Sequence, residues 1–151
     1  MATLAVASSA SAAPSDPIGE LLQRVDAVAT AALKAPQWLM QATLYHAGRG
    51  IRARDSMGCK VVPMRTLAVD PRIVPRGSVV FIKETVGLSL PGGHVHDGLW
   101  YASDIGGAIK GQRIDLYTGD GSTSMRPLQA LNLHALSVTP ISTFQGCPPP
   151  S

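Results

Sequence analysis

Two aspartates lie near each other in this sequence, separated by a glycine-rich segment. Asp104 and Asp115 flank a stretch that contains Gly106, Gly107 and Gly111. Glycine carries no side chain, so such a turn would let a bulky polymer approach the backbone. A carboxylate beside such an open turn is a candidate for general acid–base chemistry on that polymer.

Asp115 is unusual for its neighbours, which are apolar or aromatic: Ile114, Leu116 and Tyr117. A carboxyl group in such surroundings tends to have a raised pKa, because burial disfavours its charged form. A raised pKa suits a general acid. The alternative is that Asp115 pairs with Arg113 or Lys110 and only fixes the turn.

A third aspartate, Asp70, directly precedes Pro71. Aspartate before proline commonly organises a turn through hydrogen bonds from the backbone to its side chain. Taken alone, Asp70 is therefore interpreted as a structural residue.

The segments that must position these aspartates read as short strands between turn signals. Six short strands within about a hundred residues predict a small closed barrel, which leaves no exposed sheet edge. The high counts of glycine (15) and proline (12) favour the same strand-and-turn architecture. The predicted strands are residues 41–45, 66–69, 78–83, 99–103, 113–116 and 133–138.

The N-terminal part predicts a different organisation. Residues 1–14 resemble the end of a secretory signal, with Ala10-Ser11-Ala12 as a cleavage site. Residues 15–38 form the predicted N-terminal helical segment. Asp16 caps the helix, Pro17 begins it, and it ends near Lys34, before Pro36. Its apolar face would pack against the barrel or a partner chain, and a homodimer is one such arrangement. We expect the barrel domain at residues 39–147 and a proline-rich tail at 148–151.

Composition excludes several partners. The net charge of +3 comes without a run of Lys and Arg, so no nucleic-acid surface is expected. No apolar run of about 18 residues exists, so no membrane span is expected. His94 and His96 supply too few ligands for a metal site, and no cofactor motif is present.

The chain has two cysteines, Cys59 and Cys147. In an exported protein they would form one disulfide that ties the C-terminal tail to the barrel. The alternative is two free thiols in a cytosolic protein.

Three sequence blocks carry a resemblance to a known family: residues 68–78, 103–111 and 113–117. They resemble the 3D domain, named for its three aspartates, which occurs in the membrane-bound lytic transglycosylase A family and in stationary-phase muralytic proteins. Thr43-Leu44-Tyr45 is similar to the first barrel strand of that domain. The resemblance implies a mainly β fold, a six-stranded double-psi β-barrel preceded by the N-terminal helix.

The resemblance also implies the site residues. Asp115 corresponds to the catalytic acid/base, and Asp104 lines the same groove as a second catalytic carboxylate. The residues that would touch or orient sugar are Thr43, Tyr45, Asp70, Gly106, Gly107, Lys110 and Tyr117.

The implied function is that of a peptidoglycan lytic transglycosylase. Such an enzyme cleaves the bond between N-acetylmuramic acid and N-acetylglucosamine and leaves a 1,6-anhydro product. We expect an exported protein, periplasmic or extracellular, whose partner is the glycan strand of peptidoglycan. The alternative is an expansin-like barrel that binds cell-wall glycan without cutting it.

Overall fold

The computed structural model describes residues 16–150, and the predicted signal remnant at residues 1–14 lies outside that range. The fold is mainly β with one N-terminal helix, as the sequence predicts. The helix and strands are α1 (Pro17–Leu33), β1 (Trp38–Ala47), β2 (Thr66–Val69), β3 (Ser78–Ile82), β4 (Leu99–Asp104), β5 (Arg113–Asp120) and β6 (Ala135–Thr143).

The six strands form one sheet that closes on itself in a ring. Its spatial order is β1-β5-β2-β4-β3-β6, and β6 pairs with β1 to complete the ring. The pairs β1–β5 and β2–β4 are parallel, whereas the other four pairs are antiparallel. Closure satisfies the backbone groups that an edge strand would leave unpaired.

The inside of the ring is the main hydrophobic core. Alternate residues of each strand point inward, and the largest of them, Trp100, is fully buried. Its indole nitrogen donates to Thr85 Oγ1 at 3.1 Å, so the buried polar group has a partner. Outward-facing residues of β3 and β4 form a second, smaller core with α1, so a surface site can use only the outer residues that remain exposed.

The helix begins where the sequence predicts, because Asp16 Oδ1 accepts from the Ile18 amide at 3.1 Å. It ends at Leu33, with Lys34 as its C-cap, which agrees with the predicted end near Lys34. Its C-terminal part packs, through Val28 and Ala31, against residues of β3, β4 and β6. Within residues 16–150, no helix has both the length and the apolar character needed to span a membrane.

Five of the six strands differ from their predicted bounds. β3 and β4 differ by one residue, and β5 extends to Asp120 instead of residue 116; β1 and β6 differ at both ends. β1 begins at Trp38, so this residue belongs to the sheet and not to the predicted helical segment. β6 begins at Ala135 instead of residue 133, because Leu133 has a left-handed φ of 65° that ends the preceding turn. It also continues past Pro140, which lies at an irregularity in the pairing with β3, where proline is tolerated.

Candidate active site

The two aspartates meet across the short strand β2. Ala68 is the register partner of Asp115 on β5 and of Asp104 on β4. Register partners point to the same face of a sheet. Adjacent strands lie about 4.8 Å apart, so the two aspartate Cα atoms are roughly 10 Å apart, with an irregularity in the β2–β4 register next to Ala68.

The alternation along β5 and β1 directs the site residues outward. Ile114 and Leu116 are fully buried inside the ring, so Asp115 between them faces the outer surface. On β1, Thr43 is the register partner of Asp115 and Tyr45 is the partner of Tyr117. Asp115, Thr43 and Tyr45 are all half-buried, which leaves part of each side chain open to a ligand.

Asp115 has the environment of a proton donor. Burial raises the pKa of this carboxyl group and the negative charge of Asp104 raises it further, whereas the hydrogen bond from Thr43 and the charge of Arg113 act in the opposite direction. The net shift is upward, so Asp115 holds its proton to higher pH than an exposed aspartate does. In the part of the chain that the structure describes, Asp115 forms no ion pair with Arg113 or Lys110, which was the alternative.

Thr43 serves both protonation states of Asp115. Its Oγ1 lies 2.9 Å from Asp115 Oδ1 and 3.3 Å from the carbonyl oxygen of Ile114. When Asp115 is ionised, the hydroxyl donates to the carboxylate. When Asp115 is protonated, the hydroxyl can donate to Ile114 and accept from the carboxyl group.

Asp104 is arranged differently, since three donors point at it. Its Oδ2 accepts from the Tyr45 hydroxyl at 3.0 Å, and its Oδ1 accepts from the amides of Ser56 and Ile105, each at 2.9 Å. Burial, followed by the charge of Asp104 and this hydrogen bond, raises the pKa of Tyr45 far above its usual value. Tyr45 therefore remains a donor, and Asp104 acts as an acceptor in all three bonds.

Tyr117 lies beneath Tyr45. Their ring centroids are 5.1 Å apart, and Tyr117 is only 2% exposed. Burial, together with a hydrogen bond and the charge of Asp120, raises the pKa of Tyr117 to about 12. A side chain so deeply buried has no surface for a sugar, so Tyr117 supports the Tyr45 ring instead of contacting a ligand.

Asp70 holds the glycine-rich turn from below. It is 1% exposed and accepts hydrogen bonds from Arg72 Nη2 at 2.7 Å and from the Gly111 amide at 2.8 Å. These bonds, the one from Arg72 foremost, lower the pKa of Asp70 well below its usual range. Gly111 has a left-handed φ of 68°, which explains the glycine there. Asp70 thus fixes the turn, as its position before Pro71 indicates, and is not exposed to sugar.

The remaining turn residues divide between packing and exposure. A side chain at Gly106 would approach Ile109 Cγ1 to 2.7 Å, so glycine is required there for close packing. Gly107 and Lys110 are exposed, and a side chain at Gly107 would meet no atom within 4 Å. Open space at Gly107 leaves room for a polymer beside the aspartates.

Sequence reasoning missed Ser56 and Arg76. The Ser56 amide donates to Asp104, and Arg76 Nη1 lies 3.3 Å from Ser56 Oγ and 3.4 Å from the Ser56 carbonyl oxygen. Ser56 is 48 positions from Asp104 and lies outside the three sequence blocks, whereas Arg76 lies within residues 68–78 but has no predicted role. The only signal in this segment is Cys59, three positions further along the chain.

The predicted disulfide is confirmed, since Cys59 and Cys147 are bonded. Among residues 16–150, no group of three or more His, Cys, Asp or Glu side chains is arranged to hold a metal ion. His96 is buried, with Nδ1 accepting from the Gly98 amide at 2.8 Å and Nε2 lying 2.7 Å from the Met64 carbonyl oxygen. Both of its ring nitrogens therefore serve the fold.

The architecture is thus a closed β ring with an aspartate-lined site on its outer face. Residues 65–127 match the family model of the 3D domain, the domain that the three sequence blocks resemble. The matched segment covers both aspartates of the site, and also Asp70. No curated protein matches the chain.

Solved structures of lytic transglycosylases show partial similarity. Escherichia coli MltA with bound chitohexaose is 26% identical, with a TM-score of 0.47, and the alignment covers 63% of this chain and 29% of that one. LtgG of Burkholderia pseudomallei is 27% identical, with a TM-score of 0.43, and the alignment covers 62% of this chain and 28% of LtgG. The membrane-bound lytic murein transglycosylase of Agrobacterium tumefaciens is also 27% identical, with a TM-score of 0.43. The alignment covers 58% of this chain and 25% of that protein. This chain therefore spans less than a third of each of these proteins.

Proposed function

We propose that this protein is a peptidoglycan lytic transglycosylase in which Asp115 is the general acid and base. The observation that carries the proposal is the environment of Asp115. Its pKa is raised by burial, yet the residue faces outward beside an open glycine turn. The match of residues 65–127 to the 3D domain, together with the resemblance of the Ile114-Asp115-Leu116-Tyr117 block to that domain's catalytic block, supports the same assignment.

In the proposed reaction, protonated Asp115 gives its proton to the oxygen that links N-acetylmuramic acid to N-acetylglucosamine. The bond from that oxygen to muramic C1 breaks, and positive charge develops at C1. Ionised Asp115 then takes the proton of the muramic 6-hydroxyl group as that oxygen bonds to C1. The products are an N-acetylglucosamine end and a 1,6-anhydro sugar, and no water is consumed.

Asp104 and Tyr45 have supporting roles in this proposal. Asp104 accepts hydrogen bonds from three donors, so it supplies fixed negative charge roughly 10 Å from Asp115 along the sheet. Negative charge at that side favours both the proton on Asp115 and positive charge at C1. Thr43 orients the Asp115 carboxyl group, and Lys110 and Gly107 border the space for the glycan.

The buried members of the predicted sugar-contact set keep a role as positioning residues. Tyr117 supports Tyr45 from below, and Asp70 with Gly111 fixes the turn that borders the site. Gly106 allows the turn to close over Ile109.

We also propose that the ring is a double-psi β-barrel and that residues 39–147 form the domain. The two parallel pairs, β1–β5 and β2–β4, support this topology, since each needs a crossover connection within an otherwise antiparallel ring. The disulfide supports export, because disulfides persist in oxidising compartments. A homodimer stays a prediction.

A glycan-binding protein without activity is the second candidate. The site lies on the open outer face of the ring, where Asp104, Asp115 and Tyr45 are each partly exposed. An open face of this kind can hold a glycan without excluding water from the bond to be cut.

Digestion of purified peptidoglycan by the wild-type protein and by Asp115→Asn, followed by mass spectrometry, separates the candidates. We expect anhydro-muropeptides from the wild type and about 100- to 10,000-fold fewer from Asp115→Asn, because a general acid contributes a factor of that size. Asp26→Asn, an exposed aspartate on α1, is the matched control. Reducing-end products would instead indicate hydrolysis, and retained sedimentation with peptidoglycan without products would favour the binding protein.

A further inference from the structure

The segment of residues 54–60, here called the 54–60 loop, is a rigid turn. Arg54 and Lys60 form an antiparallel bridge at its base. Inside the turn, Asp55 Oδ1 accepts from the amides of Met57 at 3.0 Å and Cys59 at 2.9 Å. The Asp55 amide also donates to the Cys59 carbonyl oxygen at 2.9 Å. The loop therefore moves as one unit.

Two connections hold this unit against the ring. The first is the disulfide from Cys59 to Cys147, which ties the loop to the segment that follows β6. The second is Arg76, which precedes β3 and lies within hydrogen-bond distance of both Ser56 oxygens. Ser56 Oγ also lies 3.3 Å from the Ser103 carbonyl oxygen, at the residue before Asp104.

The tip of the loop reaches the site at Asp104. The Ser56 amide and the Ile105 amide share Asp104 Oδ1, whereas Tyr45 occupies Oδ2. The Ile105 bond is local to Asp104 and cannot set its position relative to β1. The Ser56 bond comes from a separate segment and holds Oδ1, whereas the Tyr45 bond holds Oδ2. Together the two bonds fix the position of the Asp104 carboxylate.

We propose that the 54–60 loop, anchored by the Cys59–Cys147 disulfide and by Arg76, is a positioning element for Asp104. Ser56, Arg76 and the two cysteines act on the reaction only through the Asp104 carboxylate. The inference rests on the proposed function, because it gives Asp104 a place in glycan cleavage. It adds that reduction of the disulfide lowers activity by releasing Asp104, beyond any loss of stability.

A double-mutant cycle separates positioning from stability. The attachment of the 54–60 loop to the ring, here called the tether, is removed by the pair Cys59→Ser and Cys147→Ser or weakened by Arg76→Gln. Each change is made both in the wild-type protein and in the Asp104→Ala variant. All rates are measured at a temperature where circular dichroism shows every variant folded. Arg24→Gln, an exposed arginine on α1, is the matched control for Arg76→Gln.

We expect each tether change to lower kcat/KM about three- to tenfold when Asp104 is present and less than about twofold in Asp104→Ala, since residues that act through one partner are not additive. Equal losses in both backgrounds, or no loss, would overturn the proposal. Arg24→Gln should leave the rate unchanged.

Amide hydrogen exchange gives a second measurement that does not depend on activity. In the cysteine-free variant we expect the Ser56 amide to exchange about tenfold faster, while the Ile105 amide keeps its rate, because its bond to Asp104 is local. In Asp104→Ala both amides should exchange faster. If the wild type releases no product, or if Asp104→Ala is too slow to measure, the hydrogen-exchange rates alone test whether the loop positions Asp104. An inactive wild type refutes the proposed function, and an unchanged Ser56 rate in the cysteine-free variant refutes the positioning role.

Discussion

Removal of the Thr43 hydroxyl tests whether Asp115 is the acid. Thr43→Val deletes Oγ1 and keeps the shape and the β-branching that suit strand β1. The deleted atom is the donor that lies 2.9 Å from Asp115 Oδ1. That bond stabilises the charged form of Asp115, so its loss should raise a pKa that burial already raises.

The size of the shift follows from the bond. A hydrogen bond to a charged group contributes about 1.5 to 3 kcal/mol, and water replaces part of it at a half-buried site. Taking about half of that range leaves about 0.8 to 1.5 kcal/mol, which corresponds to roughly one pKa unit. An acid must be protonated to act, so activity falls as pH rises through its pKa. The alkaline limb of the pH profile should therefore move up by about one pH unit.

The assay is the initial rate of anhydro-muropeptide release between about pH 4 and pH 9, a range that spans the raised carboxyl pKa values of general acids. Thr43→Ser, which keeps an oxygen at the same position, is the control and should leave the limb in place. A carbon NMR titration of the Asp115 carboxyl group measures the same shift without turnover.

Two results would refute the reasoning. If the alkaline limb stays in place while the NMR titration moves, Asp115 is not the acid that limits the rate. If the Asp115 titration itself moves down or does not move, the Thr43 hydroxyl does not stabilise the charged carboxylate, and the assigned geometry is wrong.

Three further predictions concern stability. Loss of the Cys59–Cys147 bond, which closes a separation of 88 residues, should cost about 4 to 5 kcal/mol in the chain-entropy model and lower Tm by about 10 to 15 °C by calorimetry; a drop under about 3 °C would contradict this. Asp70→Asn should lower Tm at neutral pH. Because the folded-state pKa of Asp70 is lowered, its contribution is present above the unfolded value near 3.9 and is lost below it, so the difference in Tm should shrink as pH falls below about 4; a difference independent of pH would contradict the charge argument. Gly98→Ala should destabilise by about 2 to 3 kcal/mol in urea unfolding, since its Cβ would lie 2.5 Å from Phe81 Cε2 at a φ of 88°; an unchanged midpoint would show that the ring moves aside.

The strands were predictable where local pattern and packing agree. Thr66–Val69 has its predicted bounds, because turn residues limit it on both sides. β6 was predicted to start and end too early, because neither the left-handed Leu133 nor a proline tolerated at an irregularity is visible as such in a sequence. Alternation along the strand predicts that Asp115 and Ile114 face opposite sides of the sheet. Only the closed ring shows that the side of Ile114 is the interior and the side of Asp115 is the outer surface.

The helix shows the opposite case. Its start at Asp16 and Pro17 follows from local capping chemistry, which the sequence contains in full. Its packing does not, since Leu21 and Val25 of the predicted apolar face are more than half exposed. Periodicity identifies an apolar face but does not state what covers it.

Sequence alone determined the chemistry available to this protein: an aspartate among apolar neighbours, a second aspartate before a glycine turn, and a pair of cysteines. The aspartates are identified by residue type and by neighbours within a few positions, and the cysteines by residue type and number alone. Only the tertiary structure decided which groups meet. Ala68 brings Asp104 and Asp115 to one level because β2 lies between β4 and β5, and Ser56 reaches Asp104 because a disulfide holds its loop there. Strand order and loop anchoring are long-range properties, and no local pattern encodes them.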